Sequence, residues 1–119
     1  MEQGKFRWRL GHIIEAIERI EDHLSGETKE IFLSNYDLQC VIVRQFEIIG
    51  EAIRAMDDDV YKRYPEVDWY KAMGMRNIFI HDYFGINCRS LWKTAKTEIP
   101  DLKVKVSKIF GDLKAQKLL

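Results

Sequence analysis

The chain has 119 residues, enough for one domain with a modest core and too few for two. Apolar residues make up 46% and charged residues 32%, a balance that suits a folded chain and excludes general disorder. Nineteen basic residues offset nineteen acids, so no global charge marks a nucleic-acid binder and any such contact must come from a local patch.

The start, Met1-Glu2-Gln3-Gly4, has no apolar run behind a basic region, and no signal peptide is expected. No segment approaches the ~18 uninterrupted apolar residues of a membrane span. Cys40 and Cys88 lie far apart without metal-ligand spacing. They read as reduced, partly buried thiols of a cytoplasmic protein, and zinc is unsupported.

In chain order, Leu10, Ile13, Ile14, Ile17, Ile20 and Leu24 recur every three or four residues, which predicts an amphipathic helix over about residues 5 to 24. Ser25-Gly26 ends it, and Glu15, Glu18, Arg19 and Asp22 form its solvated face. Thr28 or Asn35 can cap the next helix, where Val41, Ile42, Phe46, Ile49 and Ile53 bury one stripe and Ile48 and Ala52 widen it. Gly50 inside that stripe costs about 1 kcal/mol relative to Ala, which close approach of another helix would offset. Asp57-Asp58-Asp59 and Tyr64-Pro65 mark a break around a short helical turn. The three acids lack the alternating ligands and Gly of a calcium loop.

Asp68 is placed to cap the following helix, Gly85 to end it, and Asn87 to cap a further helix carrying Leu91, Trp92 and Ala95. Pro100-Asp101 then opens a last helix with Leu102, Val106, Ile109 and Leu113 inward. Trp69 and Trp92 read as core anchors; His12 and His23 receive no role. Without strand-like alternation, the expected fold is all-α: an up-and-down bundle of four main helices with short extra helical turns.

One helix stands apart from this pattern of stripes. Met73 to Tyr83 sets Arg76, Asn77, His81 and Tyr83 in helical phase within an apolar segment that includes Ile78, Phe79 and Ile80. Arg76 and Tyr83 are seven apart, Asn77 and His81 four, giving two polar edges roughly 120° apart on an ideal helix. Such a helix is expected to be buried in a core or an interface, where Arg and His must be paired or put to use. The spacing alone favours an Arg that bridges to an acid and a His that bonds a carbonyl.

Arg76-Asn77-x3-His81-x-Tyr83 resembles the Arg-x4-His-x-Tyr motif of HepT-type proteins, a branch of the HEPN superfamily of small helical ribonucleases. Ile48-Ile49-Gly50-Glu51-Ala52, Val67-Asp68-Trp69, Tyr83-Phe84-Gly85-Ile86-Asn87, Leu91-Trp92 and Ile99-Pro100-Asp101-Leu102 follow the family pattern in the same order. The resemblance covers essentially residues 1–119 as a single HEPN-like domain. It implies a metal-independent endoribonuclease with no cofactor, the toxin of a type VII toxin–antitoxin pair.

On that reading His81 exchanges the reaction's protons, Arg76 forks two N–H groups onto the phosphate, and Asn77 orients the ring or holds the ribose. The resemblance also makes Tyr83 the acceptor of AMP from a companion MntA-type nucleotidyltransferase, placing phosphodiester charge and a nucleoside beside Arg76. Arg76 and His81 diverge by about 140° on an ideal helix. Either the helix end distorts, or two copies of the motif meet across a two-fold axis in a homodimer or higher even oligomer. Arg89, Lys93 and Lys96 form a basic stripe that could follow an RNA backbone, or simply be solvated. The competing reading is a non-catalytic helical module that docks the nucleotidyltransferase.

Overall fold

Four helix starts are set by a side chain that accepts from an exposed backbone N–H. In the computed structural model, which describes the backbone of residues 3–79 and 85–118 and the side chains of 4–77 and 85–115, six helices are found and no strand element. They are α1 (Gln3–Leu24), α2 (Lys29–Ser34), α3 (Tyr36–Arg54), α4 (Asp58–Arg63), α5 (Trp69–Phe79) and α6 (Cys88–Leu118). Gly26, at φ +78°, takes the left-handed turn after α1 that a side chain would resist.

Thr28 and Asn35 are both caps, of two different helices. Thr28 Oγ1 accepts from Ile31 N at 3.2 Å to start α2, and Asn35 Oδ1 accepts from Leu38 N at 3.0 Å to start α3. Asp68 and Asn87 do the same for α5 and α6, accepting from Lys71 N at 3.0 Å and Ser90 N at 3.2 Å. Gly85 has φ +92°; whether it ends the motif helix lies outside the described residues.

The four long helices pack in a ring, α1 on α3, α3 on α5, α5 on α6 and α6 on α1, with α2 laid against α3 and α6. Their inner stripes form one core that includes Leu10, Ile13, Ile17, Ile42, Phe46, Ile49, Leu91 and Val106. This is the expected all-α bundle of four main helices with short extra ones. Trp69 is 2% exposed, with Nε1 donating to the Tyr64 carbonyl at 2.9 Å. Trp92 is only partly buried and lies on Phe32 with ring centroids 5.2 Å apart. Cys88 is partly buried as expected, but Cys40 is exposed on the outer face of α3. No helix among the described residues is long and apolar enough to cross a membrane.

The expected break at Pro100 does not occur: α6 runs through it for 31 residues. Pro100 lacks the N–H that would bond the Lys96 carbonyl, but both residues are exposed, so water can take that carbonyl. The buried stripe Leu91, Ala95, Ile99, Leu102, Val106, Ile109 and Leu113 keeps one helical register across the proline, and burial along it holds the helix together.

Gly50 performs the close approach its position predicted. A Cβ there would sit 3.0 Å from the backbone oxygen of Met73 on α5, whereas a Cβ at Gly11 would meet only the Phe110 ring edge at 3.7 Å. Gly50→Val should therefore destabilise the fold by about 1–3 kcal/mol through overpacking. Gly11→Ala should stabilise it by up to about 1 kcal/mol. Urea unfolding followed by circular dichroism checks both.

The Tyr61 hydroxyl donates to the Ile53 carbonyl at 2.9 Å, tying α4 back to the end of α3. Burial foremost, then Tyr70 and Asp58, raise the Tyr61 pKa above its usual 10.0. Lys103 is also raised, by its hydrogen bond to Glu21. A group whose pKa is higher in the folded state stabilises fully below its unfolded value and loses that contribution as pH rises through the folded one. Melting temperature should accordingly fall above about pH 10. Tyr61→Phe should cost about 1 kcal/mol near neutrality and make the alkaline fall shallower.

Candidate active-site groove

The phase of α5 is locked at its start. Trp69, Ala72 and Met75 turn inward and are buried, Asp68 caps the helix, and Met73 lies against Gly50. The next two residues, Arg76 and Asn77, are thereby turned outward and are exposed. Of the two expected settings, core or interface, this excludes the core: the Arg76 side chain is 44% exposed on the surface of the chain.

Arg76 and Asn77 line an open cavity of about 200 Å³ between α5 and α3, with Met73 on their own helix and Glu47, Glu51 and Arg54 opposite. The Nε of Arg76 lies 3.3 Å from Oε1 of Glu47. The other carboxylate oxygen of Glu47 is 3.6 Å from Nη1 of Arg44, which is also 3.8 Å from Oε1 of Glu51. A chain of alternating charge therefore runs Glu51, Arg44, Glu47, Arg76 along the groove's edge. Arg76 is thus the partner of an acid, one of its two expected readings, and lines the groove as well.

The sequence reading placed Arg76 and Asn77 in the site, and the structure brings these two together in the groove. His81 and Tyr83 lie outside the described residues. Arg89 and Lys93 are exposed on α6, and Lys96 places its ammonium 4.8 Å from the centre of the Trp92 ring. None of the three lines the Arg76 groove, which is built from α3 and α5. Among the described residues no group of three or more His, Cys, Asp or Glu is arranged to hold a metal ion.

The α3 side of the groove was missed as chemistry. Glu51 drew notice only as part of Ile48-Ile49-Gly50-Glu51-Ala52, and Arg44, Glu47 and Arg54 drew none. A signal was present: positions 44, 47, 51 and 54 follow one another by three or four and carry alternating blocks of charge on the edge opposite the buried stripe.

The sequence profile of the family described as "Ribonuclease HepT-like" matches residues 13–109 of this chain. "Probable ribonuclease HepT" of Thermococcus cleftensis is 42% identical over 100 residues, covering 84% of this chain and 91% of that protein. "Putative RNase MJ0125" of Methanocaldococcus jannaschii is 38% identical over 104 residues, covering 87% and 90%. "Gamma-glutamylcyclotransferase and putative RNase MJ0434" of the same organism is 36% identical over 108 residues. That match takes in 91% of this chain, which spans about half, 49%, of the longer relative. No solved structure matches the chain. With the profile and near full-length relatives agreeing, the chain belongs to the HepT-like ribonuclease family.

Proposed function

We propose that this protein is the toxin of a type VII toxin–antitoxin pair, a cytoplasmic, metal-independent endoribonuclease that acts as a homodimer. A MntA-type nucleotidyltransferase silences it by adding AMP to Tyr83. The observation that carries the reading is the outward presentation of Arg76 and Asn77 at one open groove. Arg76 pairs with Glu47 there and still faces the open space beside Asn77, where a phosphate could reach its guanidinium.

Cleavage needs no group beyond the chain and its RNA. The ribose 2′-OH attacks the adjacent phosphorus as a base takes its proton, the bond to the 5′-oxygen breaks, and an acid protonates that leaving oxygen. The products are a 2′,3′-cyclic phosphate and a 5′-hydroxyl. An imidazole with a pKa near 6.5 can serve in either direction, and His81 takes that role, with a typical contribution of about 10² to 10⁴ in rate. Arg76 neutralises charge gathering on the non-bridging oxygens. Asn77, beside Arg76 in the groove, would bond the ribose or orient the imidazole.

Two-fold pairing of the motif helices would give each cleft an Arg76 from one protomer and a His81 from its partner. Arg76→Ala and His81→Ala should each abolish cleavage of a labelled single-stranded RNA, with wild-type activity persisting in EDTA. Mixing the two inactive variants under conditions of subunit exchange should restore activity, because half-and-half dimers recover one intact cleft. Wild-type activity in His81→Ala, or complete reliance on added divalent metal, would remove this mechanism.

In the silencing step the Tyr83 oxygen attacks the α-phosphorus of ATP, pyrophosphate leaves, and the phenolic proton is released to a base. The new phosphodiester would compete for Arg76, and its nucleoside would crowd the groove. Co-expression with the cognate nucleotidyltransferase should add the mass of one or more AMP groups, with the first on Tyr83. Tyr83→Phe keeps the ring and deletes the acceptor oxygen, so it should fold and escape inactivation. Silencing of Tyr83→Phe as readily as wild type, with no AMP on the native chain, would favour a docking module over a modified enzyme.

A further inference from the structure

Arginine carries five N–H donors in one plane, and which edge of that plane is occupied decides which edge faces a ligand. The nitrogen of Arg76 nearest an acid is Nε, 3.3 Å from Glu47 Oε1, and among the described residues no ion pair of Arg76 involves another nitrogen. An acid on the Nε side leaves the end of the fork, formed by the two terminal nitrogens, open for bidentate contact with a phosphate. Glu47 is itself restrained: its side chain is 30% exposed, and Arg44 holds its second oxygen at 3.6 Å. Arg44 in turn is tied to Glu51 at 3.8 Å. Gly50, between the two acids, lets α5 come close enough for this line of charge to reach Arg76.

We infer that Glu47 is a positioning residue, holding Arg76 by Nε so that the terminal nitrogens of its guanidinium are presented to a phosphate of single-stranded RNA in the groove. The inference rests on the ribonuclease reading of Arg76. Its physical basis is that a long, 44% exposed side chain otherwise samples many rotamers, each of which must be given up when the phosphate is gripped in the transition state. Restraint before substrate arrives removes that loss from the chemical step. The coulombic effect of Glu47 alone has the opposite sign, since a carboxylate beside a phosphate site repels RNA. Positioning and simple charge therefore predict different kinetics for the same substitution.

The test is steady-state cleavage of a fluorophore-labelled single-stranded RNA by the full-length protein, comparing wild type with Glu47→Gln, Glu47→Asp, Arg76→Ala, the Glu47→Gln/Arg76→Ala double variant and Asp112→Asn. Asp112→Asn removes an exposed ion pair with Lys108 on α6 and should leave kcat unchanged. Glu47→Gln should lower kcat about 10- to 100-fold with KM unchanged or reduced, the magnitude expected when a reacting group is misplaced by about an ångström. Glu47→Asp should recover part of the loss. The double variant should be no slower than Arg76→Ala, as residues acting through one another are non-additive.

A second readout does not depend on turnover. In protein labelled with ¹⁵N-arginine, the Arg76 Nε–H signal, assigned by its absence in Arg76→Lys, should exchange with water more slowly in wild type than in Glu47→Gln. Equal exchange in both, or a Glu47→Gln kcat within twofold of wild type while Arg76→Ala is inactive, overturns the role of Glu47. Wild-type activity in Arg76→Ala overturns the ribonuclease reading of this groove itself, and the two failures are thus told apart.

Discussion

The contact between α3 and α5 at Gly50 governs where the polar chemistry of this protein can sit. Helices usually pack with axes 8–10 Å apart, a separation set by the side chains between them. At Gly50 there is no side chain, and the position a Cβ would take is 3.0 Å from the Met73 carbonyl oxygen. Glycine inside a helix costs about 1 kcal/mol. What it permits is reach: Glu47, just under one turn before Gly50, and Arg76, just under one turn after Met73, come within 3.3 Å. With a larger residue at position 50 the same side chains would belong to two separate surfaces.

That approach has an angular counterpart. A helix can slide and rotate on its neighbour unless one end is pinned, and α5 is pinned at its start by three independent contacts. Trp69 is inserted into the core, its indole N–H is bonded to the Tyr64 carbonyl, and Asp68 caps the first turn. The short helix α4 supports this end, since Tyr61 lies near Trp69 with ring centroids 6.1 Å apart and bonds back to Ile53. The rotation of Arg76 and Asn77 into the groove thus follows from packing more than a turn away. By comparison, the interhelical ion pairs Lys71–Glu98 and Lys103–Glu21 are half-exposed and contribute little to the choice of fold.

On the opposite side of the ring, α6 provides the long surface against which α1, α2 and α5 are assembled. Its continuity through Pro100 shows burial overriding a local preference. One lost backbone bond on the wet face is set against seven inward side chains in one register, each worth on the order of 1.5–3 kcal/mol when buried if large and apolar.

Local chemistry in the sequence determined much of this. The periodicity of Leu10 to Leu24 and of Leu102 to Leu113, the caps at Thr28, Asn35, Asp68 and Asn87, the turn after Leu24 and the exceptional character of Gly50 all rest on interactions within a few residues or on a single stripe, so they are readable along the chain. Arg76 and Asn77 stood out because polar residues in an apolar segment demand an explanation. Three matters were decided only by tertiary structure. Pro100 was accommodated because it and Lys96, whose carbonyl it leaves unbonded, both lie on the exposed face of α6, which depends on the orientation of that helix. Arg76 emerged at the surface because the rotation of α5 is fixed by Trp69 and Gly50 rather than by the composition of its own turn. Glu47 became its partner across 29 positions of sequence, a pairing that no local pattern encodes because it exists only when α3 and α5 meet.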